Sequence, residues 1–264
     1  MKKKWLWLVV TLFVIGIGVL GGIYLKDYME QRKIAEQTPI TLLAMGDSLT
    51  EGVGDEDKDG GYVGILEKEL KKNEDVRSVK TYNYGVSGNR IDQLLKRLKK
   101  EEDFRSDLKK ANVVTITIGG NDVMKILRSR LLEAQVSDFT KAQKSFQKEL
   151  VTLFSEIRSL NADAPIYLVG IYNPYTTYFG QIKELDTIIS NWNKGSEKIV
   201  AGEKDAVFVP VAKVIENREK KNKDKPNPLL SGDYFHPNHT GYEKMANELY
   251  KKINQAIENK EIPK

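Results

Sequence analysis

The sequence contains no cysteine, which excludes disulfides, thiolate zinc sites, cysteine-ligated iron–sulfur clusters and lipid attachment through cysteine. A chain without disulfides folds on either side of a membrane, so this absence leaves the compartment open. Proline is scarce, at 8 residues in 264, and a composition 40% hydrophobic and 30% charged is that of a packed globular protein rather than a disordered one. Histidine is scarcer still. His236 and His239 are the only two, so any chemistry that needs an imidazole base has two candidates, three residues apart. The body of the chain also lacks a dominant charge. Of the formal +5, residues 1–37 hold six basic and three acidic residues, which leaves 36 basic against 34 acidic in the remainder. That near balance offers no electrostatic footprint for a phosphate backbone and argues against a nucleic-acid partner.

One long hydrophobic run is present. Trp5 to Leu25 reads WLWLVVTLFVIGIGVLGGIYL, 21 residues without a charge. As a helix at about 1.5 Å per residue it spans roughly the 30 Å of a bilayer core. Lys2, Lys3 and Lys4 precede it, and Lys26 to Gln37 are balanced in charge, so the positive-inside rule keeps the N-terminus cytoplasmic and sends the rest across. The rival reading is a cleaved signal peptide, but its apolar region is only about 7–15 residues and ends at a small-residue A-x-A-like site, which is not found here. The expectation is a membrane anchor (transmembrane helix 5–25) with a short stalk over residues 1–37, and an extracytoplasmic domain over 38–264. Secretion after signal cleavage is the alternative.

Within 38–264, five apolar, partly β-branched runs alternate with helical patterns: ITLLAM (40–45), VKTYNYG (79–85), VVTITIG (113–119), PIYLVGIY (165–172) and AVFVPV (206–211). Helical spacing appears in YVGILEKELKKN, RIDQLLKRLKK, SDFTKAQKSFQKELVTLFSEIRSLN and ELDTIISNWNKGSEKIVAGE. In the longest of these, Phe139, Ala142, Phe146, Leu150, Phe154, Ile157 and Leu160 form one apolar stripe that reads as core. Strands alternating with helices predict an α/β fold, a mostly parallel sheet covered on both faces. Ligands in such folds bind at the carboxyl ends of strands. Those ends read Gly46-Asp47-Ser48, Gly85-Val86-Ser87-Gly88-Asn89 and Gly119-Gly120-Asn121-Asp122. The lysine-rich segment 216–228 reads as a solvated loop.

A hydrolytic serine needs a base, a group that orients the base, and donors for the oxyanion. Ser48 follows the first strand, and Asp233 stands three residues before His236, a spacing that lets the two meet on one face of a helical turn. Each piece alone has a plainer reading: Ser48 as a helix cap, Asp233 as a turn residue, the glycines as tight turns. The segment Asp55-x-Asp57-x-Asp59-Gly60 begins like a calcium loop, yet position 12 falls on Leu66, with Glu67 one residue late, and Tyr62 occupies position 8. It reads as a polar, flexible loop beside the site, so no metal ligand is assigned.

MGDSLTEG, NYGVSGN, TIGGND and DYFHPN occur in that order and resemble the four signature blocks of the GDSL, or SGNH, hydrolase superfamily, with a look similar to its bacterial lysophospholipase-like acylhydrolases. The resemblance implies a flavodoxin-like three-layer α/β/α sandwich and a serine ester hydrolase that needs no cofactor. By the same resemblance Ser48 is the nucleophile, His236 its base and Asp233 the orienting acid. Ser48 and Gly88, through backbone N–H, and Asn121, through its side-chain amide, form the oxyanion hole. The expected substrate is a small-molecule or lipid ester. O-acyl transfer or O-acetyl ester cleavage on a cell-envelope glycan is the alternative, and a non-catalytic surface binding module a more remote one. GIYNPY (170–175), which matches no block, is expected to form a wall of the substrate pocket. His239, at a helix entrance, is expected to pack locally or to make a hydrogen bond near the helix end.

Overall fold

The computed structural model describes residues 20–130, 135–175, 183–216 and 226–263. The chain divides into two units, Met1–Thr38 and Pro39–Lys264. In the first, residues 20–36 are helical. Residues 5–19 of the expected transmembrane span lie outside the described residues, as do residues 217–225 of the charged segment. Among the described residues, no helix is long and apolar enough to cross a membrane.

The second unit is built on a five-stranded sheet of β1 (Thr38–Gly46), β2 (Val76–Gly85), β3 (Val113–Thr117), β4 (Ile166–Val169) and β5 (Ala206–Val209), in spatial order β2-β1-β3-β4-β5. The pairs β1–β3, β3–β4 and β4–β5 are parallel. All five runs expected to be strands are strands. The apolar character of β1, β3 and β4 has a direct cause, since both their faces are buried and a side chain of either parity is then mostly apolar; β2, at the sheet edge, is mostly exposed or half-buried and carries Arg77, Lys80 and Asn83. Along β1, Leu43 and Met45 enter one core while Leu42 and Ala44 enter the other; along β4, Ile166 and Leu168 oppose Tyr167 and Val169.

The helices are α1 (Ser48–Glu51), α2 (Gly61–Lys72), α3 (Ile91–Lys100), α4 (Glu102–Lys110), α5 (Gly120–Arg130), α6 (Val136–Leu160), α7 (Lys183–Val200), α8 (Ala212–Ile215) and α9 (His239–Glu258). Apolar residues of α3, α4, α6 and α7 join the first core, and those of α2 and α9 the second, which gives the α/β/α sandwich. On α6 the stripe is buried at Phe139, Phe146, Leu150, Phe154 and Ile157, with Leu153 added, while Ala142 and Leu160 pack at its edge. The chain leaves β1 toward β2 on one side and returns to β3 on the other, so the strand order reverses between the carboxyl ends of β1 and β3. A crevice opens at such a switch point.

Candidate active site

The site begins with the end of β1. Gly46 has φ +148°, and a Cβ there would lie 2.1 Å from the Thr117 carbonyl oxygen, so only glycine lets β1 and β3 approach this closely. The Asp47 N–H donates to that same carbonyl at 3.1 Å. Asp47 then caps α1: its Oδ1 accepts from the Leu49 N–H at 3.1 Å and from Thr117 Oγ1 at 2.8 Å. Ser48 follows as the first residue of α1, held in a tight strand-to-helix turn. It is 4% exposed and lines a small cavity at the carboxyl ends of the strands.

Ser48 Oγ lies 2.8 Å from His236 Nε2, and His236 Nδ1 lies 2.6 Å from Asp233 Oδ2. Asp233 and His236 meet across a non-helical turn, not on a helical turn as their spacing suggested. Tyr234 takes φ +56°, and the Ser231 N–H donates to the His236 carbonyl at 2.8 Å. That bend lets Asp233 Oδ1 accept from the backbone N–H groups of Phe235 and His236, both at 2.9 Å, and from Ser231 Oγ at 2.7 Å. Partial burial pushes this carboxyl up, but hydrogen bonds from the His236 side chain, the His236 and Phe235 backbones and Ser231 outweigh it and hold the pKa at about 2. Asp233 is therefore an anion at any working pH and fixes the proton of His236 on Nδ1, leaving Nε2 as the acceptor toward Ser48.

Asn121 opens α5 and lines the Ser48 cavity. Its Nδ2 donates to the Asn89 carbonyl at 3.0 Å, which orients the amide and leaves its second N–H free to turn elsewhere. Gly88 has φ +79° and sits on the adjoining 86–90 loop, outside the residues that line the cavity. The loop is pinned from several sides. Val86 N–H donates to the Gly46 carbonyl, Ser87 N–H to Glu51 Oε2, and Ile91 N–H to Asp122 Oδ2, while Arg97 reaches the Tyr84 carbonyl. Burial raises the Asp122 carboxyl to about 7.

The cavity holds about 40 Å³ and is walled by Gly170, Ile171, Tyr172 and Pro174 from the segment after β4, and by Phe235. Four residues of the GIYNPY segment thus line the cavity that holds Ser48. Beneath Ser48 lies a group of buried hydroxyls that sequence reasoning missed. Tyr62 OH is 3.2 Å from Thr115 Oγ1 and 3.0 Å from Thr50 Oγ1; Thr50 Oγ1 is 2.7 Å from Thr117 Oγ1, which donates to Asp47. The signal was legible, since Thr115 and Thr117 are polar residues in a strand buried on both faces, where each must find a partner.

The Asp55 loop is tied at Asp55 and Glu56 to the starts of α2 and α9. Asp55 is buried, its Oδ1 lies 2.9 Å from His239 Nδ1, and its Oδ2 accepts from the Gly61 N–H at 2.9 Å. The His239 N–H donates to Glu56 at 3.0 Å. Its hydrogen bond with Asp55, aided by Asp57 and Glu243, raises the His239 pKa. The second histidine thus ties this loop to the start of α9 and does not face Ser48.

A serine, an imidazole and a carboxylate in sequence at the switch point of a parallel sheet form the arrangement used by serine hydrolases. The chain belongs to the GDSL-like lipase/acylhydrolase family, whose model matches residues 44–244, and it is a GDSL-type serine hydrolase acting on ester bonds. It is 38% identical to the uncharacterized protein YpmR of Bacillus subtilis (strain 168) over 225 residues, covering 85% of this chain and 84% of that protein. It is 31% identical to the spore germination lipase LipC of Bacillus licheniformis over 209 residues, 78% of this chain and 92% of LipC. Among solved structures, the lipase Lip_vut3 from a goat rumen metagenome superposes with a TM-score of 0.68 at 27% identity, over 80% of this chain and 96% of that one. An acetylxylan esterase from Geobacillus stearothermophilus (TM-score 0.61, 20% identity, 81% and 94% coverage) shares the fold.

Proposed function

We propose that the protein hydrolyses carboxylic esters through Ser48, His236 and Asp233. The observation that carries this reading is the unbroken line of short contacts, 2.8 Å from Ser48 Oγ to His236 Nε2 and 2.6 Å from His236 Nδ1 to Asp233. Ser48 Oγ attacks the ester carbonyl as His236 Nε2 takes its proton. In this reading the oxyanion is held by the backbone N–H groups of Ser48 and Gly88 and by the Asn121 amide; Ser48 and Asn121 line the cavity, and Gly88 stands on the adjoining loop. His236 passes the proton to the leaving alcohol, and the acyl group remains on Ser48. Water, deprotonated by the same imidazole, then releases the acid. Asp233, anionic throughout, favours the imidazolium that forms in each half-reaction.

A lipid or other acyl ester is the substrate favoured by this reading, in keeping with the 31% identity to a spore germination lipase. The uncharged Trp5–Leu25 run behind three lysines supports anchoring by one transmembrane helix with the domain outside the cytoplasm. Two experiments test these points. A fluorophosphonate should label wild type at Ser48 and leave Ser48→Ala unlabelled and inactive while folded; labelling at Ser87 or Ser231 would sink the assignment. The full chain should stay with membranes through carbonate extraction and be digested by protease added to intact cells, whereas release by carbonate would refute the anchor.

A further inference from the structure

Next to the Ser48 cavity lies a second one, of about 30 Å³. Gly120, Tyr172, Pro174 and Phe235 face both. The two differ in chemistry. The first presents Ser48, Asp47, Thr117 and Asn121, whereas the far wall of the second is formed by Val123, Met124 and Leu127 of α5 with Leu185 and Ile189 of α7. The polar side chains that face the second cavity already have partners. Tyr172 OH donates to the Phe235 carbonyl at 2.6 Å, Asn173 Nδ2 donates to Asp186 at 2.7 Å, Asn173 Oδ1 accepts from the Tyr175 N–H at 3.0 Å, and Tyr175 OH rests on the Met124 sulfur at 4.0 Å. A cavity whose polar groups are already satisfied holds water poorly and suits an apolar guest.

We propose that this second cavity is the distal acyl-chain subsite and that the enzyme selects acyl esters of about six carbons over acetyl esters. The inference rests on the reading of Ser48 as nucleophile. An internal volume of about 10–15 Å³ takes one water-sized group, and a methylene is of similar size. The first cavity then takes roughly three carbons beyond the acyl carbonyl and the second roughly two. The chain enters past Phe235, whose carbonyl is held by Tyr172 and whose ring packs edge-on against His236 with centroids 4.9 Å apart. The side chain that flanks the catalytic imidazole thus also borders the tail of the substrate.

The test is a p-nitrophenyl ester series (acetate, butyrate, hexanoate, octanoate) with wild type, Leu127→Trp and Leu127→Ala. For wild type, kcat/KM should rise by up to about fourfold per added methylene as far as hexanoate and then level off. Leu127 is half-buried in the far wall of the second cavity, so tryptophan there fills that cavity, and the hexanoate-to-acetate ratio of kcat/KM should fall at least tenfold. Leu127→Ala enlarges the cavity and should move the optimum to octanoate, which decides the matter if the tryptophan variant does not fold. A wild-type series that is flat or falls beyond acetate, or an optimum unmoved in Leu127→Ala, overturns the proposal. Hydrolysis that persists in Ser48→Ala overturns the triad reading instead, whatever the chain-length profile.

Discussion

Replacing Asp47 by asparagine isolates a cost that the fold carries beneath its reactive serine. Asp47 is buried, and that burial lifts its pKa from 3.8 to about 6 against the hydrogen bonds from Thr117 and Leu49 that oppose the shift. A raised carboxyl binds its proton more tightly folded than unfolded. Below pH 3.8 it is neutral in both states, and the fold keeps its full stability. Between 3.8 and about 6 the unfolded chain ionises first and stability falls; above 6 the loss reaches a plateau. With 1.36 kcal/mol per unit, the plateau is about 3 kcal/mol. The amide of Asp47→Asn keeps an oxygen to accept from Leu49 and Thr117 and cannot ionise. Its stability relative to wild type should therefore rise with pH, from little difference at pH 3.5 to a gain of about 3 kcal/mol at pH 8. Urea unfolding of both proteins at half-unit pH intervals reads this difference directly and cancels the other titrating groups, among them Asp122, which burial raises to about 7. A difference independent of pH, or one that falls toward pH 8, would refute the reasoning.

His236→Ala should approach the loss seen for Ser48→Ala, and Asp233→Asn should also be severe, because the nucleophile loses its base or the base its orienting anion; His239→Ala should retain most kcat/KM on one activated ester, and the opposite order would overturn the site. His239→Ala should instead lower stability by about 1–3 kcal/mol, since it leaves the buried Asp55 carboxylate without its imidazole partner, and thermal melting checks this. Asn121→Ala should cost about 10² to 10³ in kcat with KM little changed; a change confined to KM would assign Asn121 to substrate contact. Ester hydrolysis should survive EDTA, because Asp55 already bonds His239 and Gly61; activity lost to chelator and restored by calcium would mean that the aspartate loop binds metal.

The sequence by itself determined the strands, the layered architecture and the motifs that name the reactive residues. Each of these is written in short range: a strand buried on both faces reads as an unbroken apolar run such as IYLV, a core helix as the stripe from Phe139 to Ile157, and the four blocks as contiguous residues. The helices 102–110 and 120–130 were less legible, because the first has only Phe104 and Leu108 to bury and the second begins inside a glycine-rich turn. Tertiary structure alone decided what depends on side chains distant in the chain. Thr50, Tyr62, Thr115 and Thr117 come from three elements, α1, α2 and β3, and share hydrogen bonds only once β1 and β3 lie side by side. Asp55 reads as a loop acid until α9, 184 residues on, brings His239 to it. The first cavity exists only where the ends of β1 and β3, α5 and the segment after β4 converge, and the second only where α7 joins α5 and that segment. Periodicity records which face of an element is buried, because burial acts on each residue through its own solvation; it does not record which neighbour a buried polar group meets, because that partner is chosen by packing in three dimensions.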